Sequence, residues 1–168
     1  MTLVKSVRQQ ILEKIEEKFI GIVQTDTSAP GYVPSDDDWP MQFSVVKLGP
    51  LSDENLRKRY SLGIVPGTEK YSDLYPYIVS DQMVGLEFRA TKNKDDDDPQ
   101  AMAEQVLTVL KRLVLANTTW DDLAVDTRLV NSEVDLVNYS DRSIVGVLFI
   151  EVQYRHARRD PRDPHPNF

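Results

Sequence analysis

The stretch SIVGVLFIEVQYRHA, residues 143–157, keeps one face apolar at a period of two, and in its second half alternates strictly between apolar and polar. That period belongs to a β-strand, whose successive side chains point to opposite faces of a sheet. Ile144, Leu148, Ile150, Val152 and Tyr154 make one continuous apolar face. The opposite face begins apolar, with Val145, Val147 and Phe149, and ends polar, with Glu151, Gln153 and Arg155. The first half of this strand therefore needs cover on both sides and the second half on one. Two readings compete for the extra cover. A half-apolar sheet face suits a subunit contact, and the loop at 25–40 folding over it would serve as well.

Working outward, the strand is preceded by VDTRLVNSEVDLV (125–137) and the five-residue loop NYSDR, an arrangement suited to an antiparallel hairpin. Further upstream, DPQAMAEQVLTVLKRLVLAN predicts a helix with Asp98 as N-cap and Pro99 at its first position, where a missing N–H costs nothing. Its apolar stripe is Met102, Val106, Leu107, Leu110, Leu113 and Val114. A first helix is expected near the start of the chain, from a cap at Thr2 to a stop at Gly21. There Leu3, Val7, Ile11, Ile15 and Phe19 recur every four residues. Between the helices, MQFSVVKL (41–48), RKRYSLGIV (57–65) and MVGLEFRAT (83–91) read as strands. Tyr60, Leu62 and Ile64 share one face of the second, and Val84, Leu86, Phe88 and Ala90 one face of the third. Two segments rich in Pro, Gly and Asp interrupt them: 25–40, expected as a long loop, and 66–80, expected as an edge strand or a projecting loop because of Pro66, Gly67 and Pro76. The expected fold is α/β in the sense of α+β: a mixed, mostly antiparallel sheet of four to six strands, two long helices packed on one face, and an extended C-terminal arm. One domain is expected over 1–157, and the arm over 158–168.

With 168 residues the chain is long enough to bury a full core. It has no cysteine, which removes disulfides, thiolate metal sites and cysteine nucleophiles, and fits a reducing compartment. No apolar run approaches the length of a membrane span, and the charged N-terminal helix is unlike a signal peptide, so a soluble, unprocessed protein with no membrane partner is expected. The net charge is −7, and the segment 155–168 carries +2, leaving −9 on the rest. Such a body repels nucleic acid, and no basic face of the kind that attracts phosphates stands out beyond the tail and LRKRY at 56–60.

The run Asp95, Asp96, Asp97, Asp98 invites a calcium reading, but a calcium loop ends on a carboxylate eleven residues after its first ligand. That position is Val106, and the loop lacks the bending glycine. A solvated run before a helix N-terminus, where anions are favoured, accounts for it better. An acidic loop lining a pore is the functional alternative. SDDDWP at 35–40 carries Trp39, either an interface anchor or a ring that packs its loop onto the body. No catalytic residue, metal site or cofactor is expected. His156 and His165 lie in or beside the tail with nothing to orient them, and no nucleophile elbow, phosphate loop or zinc-binding helix motif is present. The tail itself, with Arg158, Arg159 and Arg162 among Asp and Pro, should be extended. It reads as a disordered terminus, a nucleic-acid contact, or an arm laid on an acidic neighbouring subunit.

The order helix, strands, helix, strand hairpin, joined to VLFIEVQYRHARRDPRDP, resembles the tail terminator (tail-completion) proteins of tailed bacteriophages. The matching residues are Tyr154, Arg155, Arg159, Asp160 and Pro161, with VRQQILEKI at the other end. The long segments 25–40 and 66–80 depart from that family's compact pattern. The resemblance implies a structural virion protein without catalytic residues: a homo-oligomeric, hexameric ring at the neck. It would cap the tail tube, end its polymerisation, and meet a head-completion or stopper protein and the sheath where there is one. DNA would pass through the lumen without specific binding, and assembly would occur in the host cytoplasm. On this reading Trp39, Tyr71, Tyr75, Tyr77, Val145, Val147, Phe149, Arg155, Arg158 and Arg159 belong to subunit or partner interfaces, and Asp95 to Asp98 to a lumen loop. A neighbouring connector component, a monomeric adaptor binding through Trp39 and the Tyr71, Tyr75, Tyr77 segment, and an enzyme remain as alternatives.

Overall fold

The computed structural model describes residues 4–52, 58–93, 97–135 and 143–164. The first helix, α1 (Val7–Ile20), buries Val7, Ile11, Ile15 and Phe19, the i, i+4 stripe read from the sequence. It starts later than expected. Thr2 lies outside the described residues, and the cap is Ser6, in extended backbone, whose hydroxyl accepts the Gln9 N–H. Gly21 closes the helix. The loop at 25–40 is pinched at its neck, where Thr25 N–H donates to the Trp39 carbonyl at 3.0 Å and Trp39 N–H to the Thr25 hydroxyl at 2.9 Å.

A six-stranded sheet follows: β1 (Val45–Leu48), β2 (Tyr60–Leu74), β3 (Tyr77–Thr91), β4 (Asp126–Val134), β5 (Ser143–Ala157) and β6 (Asp160–Pro164). The order is β1-β2-β3-β5-β4, with β6 also paired to β5. Only β1 and β2 run parallel, so the sheet is mixed and mostly antiparallel, as expected. The second helix, α2 (Pro99–Ala116), enters through Asp98, whose carboxylate accepts the Gln100 N–H, and has Pro99 in its first turn.

Segment 66–80 is strand rather than loop, and its first part, residues 66–74, is an edge that pairs with β3 alone among the described residues. It is the outer half of a hairpin whose strands β2 and β3 have 15 residues each. Pro66 and Gly67 sit at a register shift between Pro66 and Glu69, which absorbs the missing donor, and Pro76 sits in the hairpin's turn. The arm at 158–168 is likewise not simply extended. Arg158 and Arg159 form a turn, and β6 folds back antiparallel onto the end of β5. Within β6 the Asp160 carboxylate accepts the Arg162 N–H at 3.0 Å and its Nε at 2.7 Å, which braces the start of the strand. The expected loop NYSDR and residues 165–168 lie outside the described residues.

The buried stripes of α1 and α2 join one core cluster with Leu62 and Ile64 of β2, Leu86 and Phe88 of β3, and Leu148 and Ile150 of β5. These strand residues are register partners across the sheet, Ile64 with Leu86 and Leu86 with Leu148, and so share a face. The intervening residues make the second face, to which Val65, Gly85, Val147 and Phe149 belong.

Candidate subunit interface

Gly85 pairs with Val65 on one side and with Phe149 on the other. Lacking a side chain of its own, it lies beneath its neighbours: a β-carbon there would stand 3.5 Å from both Phe149 Cε1 and Val147 Cγ2. The gap left in the row makes an open groove of 850 Å³, floored by Val65, Met83, Gly85, Val145, Val147 and Phe149. Glu87, Glu133 and Asp135 stand at its sides, and no lysine or arginine lines it among the described residues. Toward the other end of β5 the face turns polar. Arg128 Nε donates to Glu151 at 2.8 Å and Gln153 Nε2 to Asp81 at 3.0 Å. The change from apolar to polar read along residues 145–155 is thus a change across a real surface.

The loop at 25–40 contributes nothing to this groove. It packs instead against α2. Trp39 lies against the core cluster with the Arg112 guanidinium 4.0 Å from its ring centre, and Arg112 donates to the carbonyls of Asp36 and Asp38. The Asp38 carboxyl is held below its ordinary range by hydrogen bonds from the Tyr32 hydroxyl and the Ser35 N–H. Trp39 therefore does what the simpler of its two readings describes, packing its loop onto the body.

The three tyrosines separate. Tyr75, at the apex of the β2–β3 hairpin, is 83% exposed, with Leu74 at 43% beside it. Tyr71 is also exposed, but its hydroxyl donates to Glu69 at 3.0 Å. Tyr77 opens β3 and is half-buried. Glu69 is a hub that sequence patterning gives no reason to single out. The Tyr154 hydroxyl donates to it, and Arg8 Nε lies 3.7 Å away while donating to Gln82 at 2.8 Å. Burial, then the hydrogen bond to Glu69, pushes the Tyr154 hydroxyl well above the usual tyrosine range.

Arg155 does not sit in an exposed tail; it is 2% exposed, within β5. Arg158 and Arg159 are exposed, and they lie beside the hairpin turn. Arg158 N–H donates to the Pro76 carbonyl at 3.1 Å, and its guanidinium meets the Asp73 carboxylate at 3.1 Å. Of the acidic run, Asp95 and Asp96 lie outside the described residues. Asp98 caps α2, and Asp97 takes Arg59 with both oxygens, at 2.9 and 3.3 Å. No group of three or more metal-ligating side chains occurs among the described residues. His156 Nδ1 contacts the Ala157 carbonyl at 2.8 Å.

The sequence reading missed Val65, Met83, Glu87 and Glu133 as groove residues. A lone glycine within the strand pattern of MVGLEFRAT was the available signal, because an isolated strand glycine marks a close approach. No protein-family model matches the chain, and no curated protein matches it.

Proposed function

We propose that the protein is a structural subunit of a phage tail terminator ring. The observation that carries the reading is the apolar groove on the second sheet face, left open among the described residues although it runs across the central strands β2, β3 and β5. Such a surface is costly to leave in water and is what a subunit contact buries. The resemblance of VLFIEVQYRHARRDPRDP to tail terminators supplies the setting. In that setting the ring ends tube growth and offers its other side to a head-completion or stopper protein. An acidic chain of net charge −7 would let DNA through a lumen without holding it.

Native mass spectrometry with negative-stain imaging, repeated in the presence of purified tail tubes, tests the reading. The expected result is a closed ring with a central hole, or a ring seated on tube ends. A monomer that neither associates nor binds tubes overturns it. The exposed Tyr75 turn favours a second reading, a monomeric adaptor gripping one protein partner. Cleavage at that turn by a broad-specificity protease such as subtilisin, in a stable, tube-indifferent monomer, would select it.

A further inference from the structure

We propose that the groove on the second sheet face receives the Tyr75 knob of a neighbouring copy, with Arg159 of that copy against the groove's carboxylates. The inference rests on the ring reading for its oligomer and adds the residues that join one copy to the next.

The knob is a composite that only the fold assembles. The hairpin turn at 75–76 and the turn at Arg158 and Arg159 are 82 residues apart in sequence and are clasped by the Arg158 N–H on the Pro76 carbonyl. The result is an apex with Tyr75 and Leu74 exposed beside Arg159 and beside Arg158, whose guanidinium already meets Asp73 of its own hairpin, so that Arg159 carries the charge the knob offers. Tyr and Arg are the residue types that carry most binding energy at interfaces, the ring through buried area and the guanidinium through its fork of donors.

The groove is its complement in both respects. Its floor is apolar, and the described residues that line it include Glu87 and Glu133 but no lysine or arginine. Within one molecule the two cannot meet. Tyr77 and Gly85 are eight residues apart on the same strand, a span of roughly 26 Å at about 3.3 Å per residue. Nor is the groove suited to its own twofold copy. Face to face, the carboxylates of two grooves would be brought together, and like charges at an interface cost several kcal/mol. Knob into groove is therefore a heterologous contact in which every copy gives one surface and receives the other. Such a contact generates a ring when its rotation closes.

The test uses the full-length chain and four variants: Tyr75→Ala, Arg159→Glu, Glu133→Arg, and Arg159→Glu with Glu133→Arg. Tyr75 and Arg159 lie in exposed turns, so their substitution leaves the melting temperature within about 2 °C, consistent with surface changes within about ±0.5 kcal/mol. Sedimentation velocity should show each single variant associating about tenfold more weakly or worse, and the charge-swapped double variant recovering most of the loss. If the unaltered protein forms rings and Tyr75→Ala and Arg159→Glu form them equally well, the knob is overturned while the ring reading stands. If single variants lose association and the double variant does not recover, the pairing of arginine with the groove is overturned. An unaltered protein that remains monomeric, alone and with tail tubes, overturns both.

Discussion

Gly146 of β5 faces the Phe88 ring: a β-carbon at that position would come within 2.7 Å of Phe88 Cε1, closer still to Cζ, and within 3.0 Å of the Glu133 carbonyl. Phe88 is fully buried, so neither ring nor backbone has room to retreat. Gly146→Ala should destabilise the protein by about 1–3 kcal/mol, the usual cost of overpacking. Differential scanning calorimetry should show a fall of roughly 2–4 °C per kcal/mol for a chain of this size. An unchanged melting temperature would mean that the two strands can part more easily than their packing suggests. Asp160 gives a second prediction. Its carboxyl is held down to about 2 by the Arg162 side chain and N–H. A carboxyl depressed in the folded state contributes its stabilisation above the ordinary value of 3.8 and loses it as the pH falls through about 2. The Asp160–Arg162 contact within β6 should therefore persist at pH 4 and loosen only near pH 2. Carbon-detected NMR of the Asp160 carboxyl should give a midpoint near 2, and a midpoint at 3.8 would show that Arg162 does not hold it in solution.

At the scale of elements, the loop at 25–40 is fastened chiefly by one side chain of α2. Arg112 donates to two loop carbonyls and lies over Trp39, so its guanidinium supplies both a cation–π contact and two donors. Arg112→Ala should release the loop without unfolding the sheet. Chymotrypsin, which cuts after aromatic residues, should then cleave after Tyr32 at least about tenfold faster, because local opening governs such cleavage. Cleavage at the unaltered rate would show that the neck hydrogen bonds between Thr25 and Trp39 suffice. The helices and β5 were legible because their periodicities, 3.6 and 2, run unbroken over a dozen or more residues. The β2–β3 hairpin was not, since Pro66, Gly67 and Pro76 are breakers in sequence but fall at a bulge and a turn in the fold. The fold-back of β6 was also hidden. The contacts at its start are local, donated by Arg162 to Asp160 two residues before it, and a Pro-rich segment carries no strand pattern. Half of the groove was legible, namely Val145, Val147 and Phe149. The other half comes from β2 and β3, whose register against β5 no single strand reveals. Arg155 was misplaced for a related reason: alternation assigns a face but not what covers it.

At the scale of the whole molecule, association between identical copies of charge −7 must overcome their mutual repulsion before any contact forms. The two electrostatic effects differ in range. Arginine against carboxylate acts at a few ångströms, inside the screening length at any ordinary salt concentration. The repulsion of net charges acts over the separation of whole subunits. The Debye length shortens from about 30 Å at 0.01 M to about 8 Å at 0.15 M, so added salt removes the repulsion first and leaves the close pairs largely intact. Burial of the apolar floor is indifferent to salt over this range. Self-association should therefore tighten between about 0.01 and 0.15 M salt, the opposite of an interface held mainly by long-range attraction between charged patches. Sedimentation velocity across that range decides the matter. Steady weakening would show that attraction between the arginine turn and the acidic groove outweighs the repulsion of the two bodies. In the charge-swapped double variant, whose net charge is unchanged, the tightening should persist, because it arises from the whole molecule's charge and not from which copy carries which side of the pair.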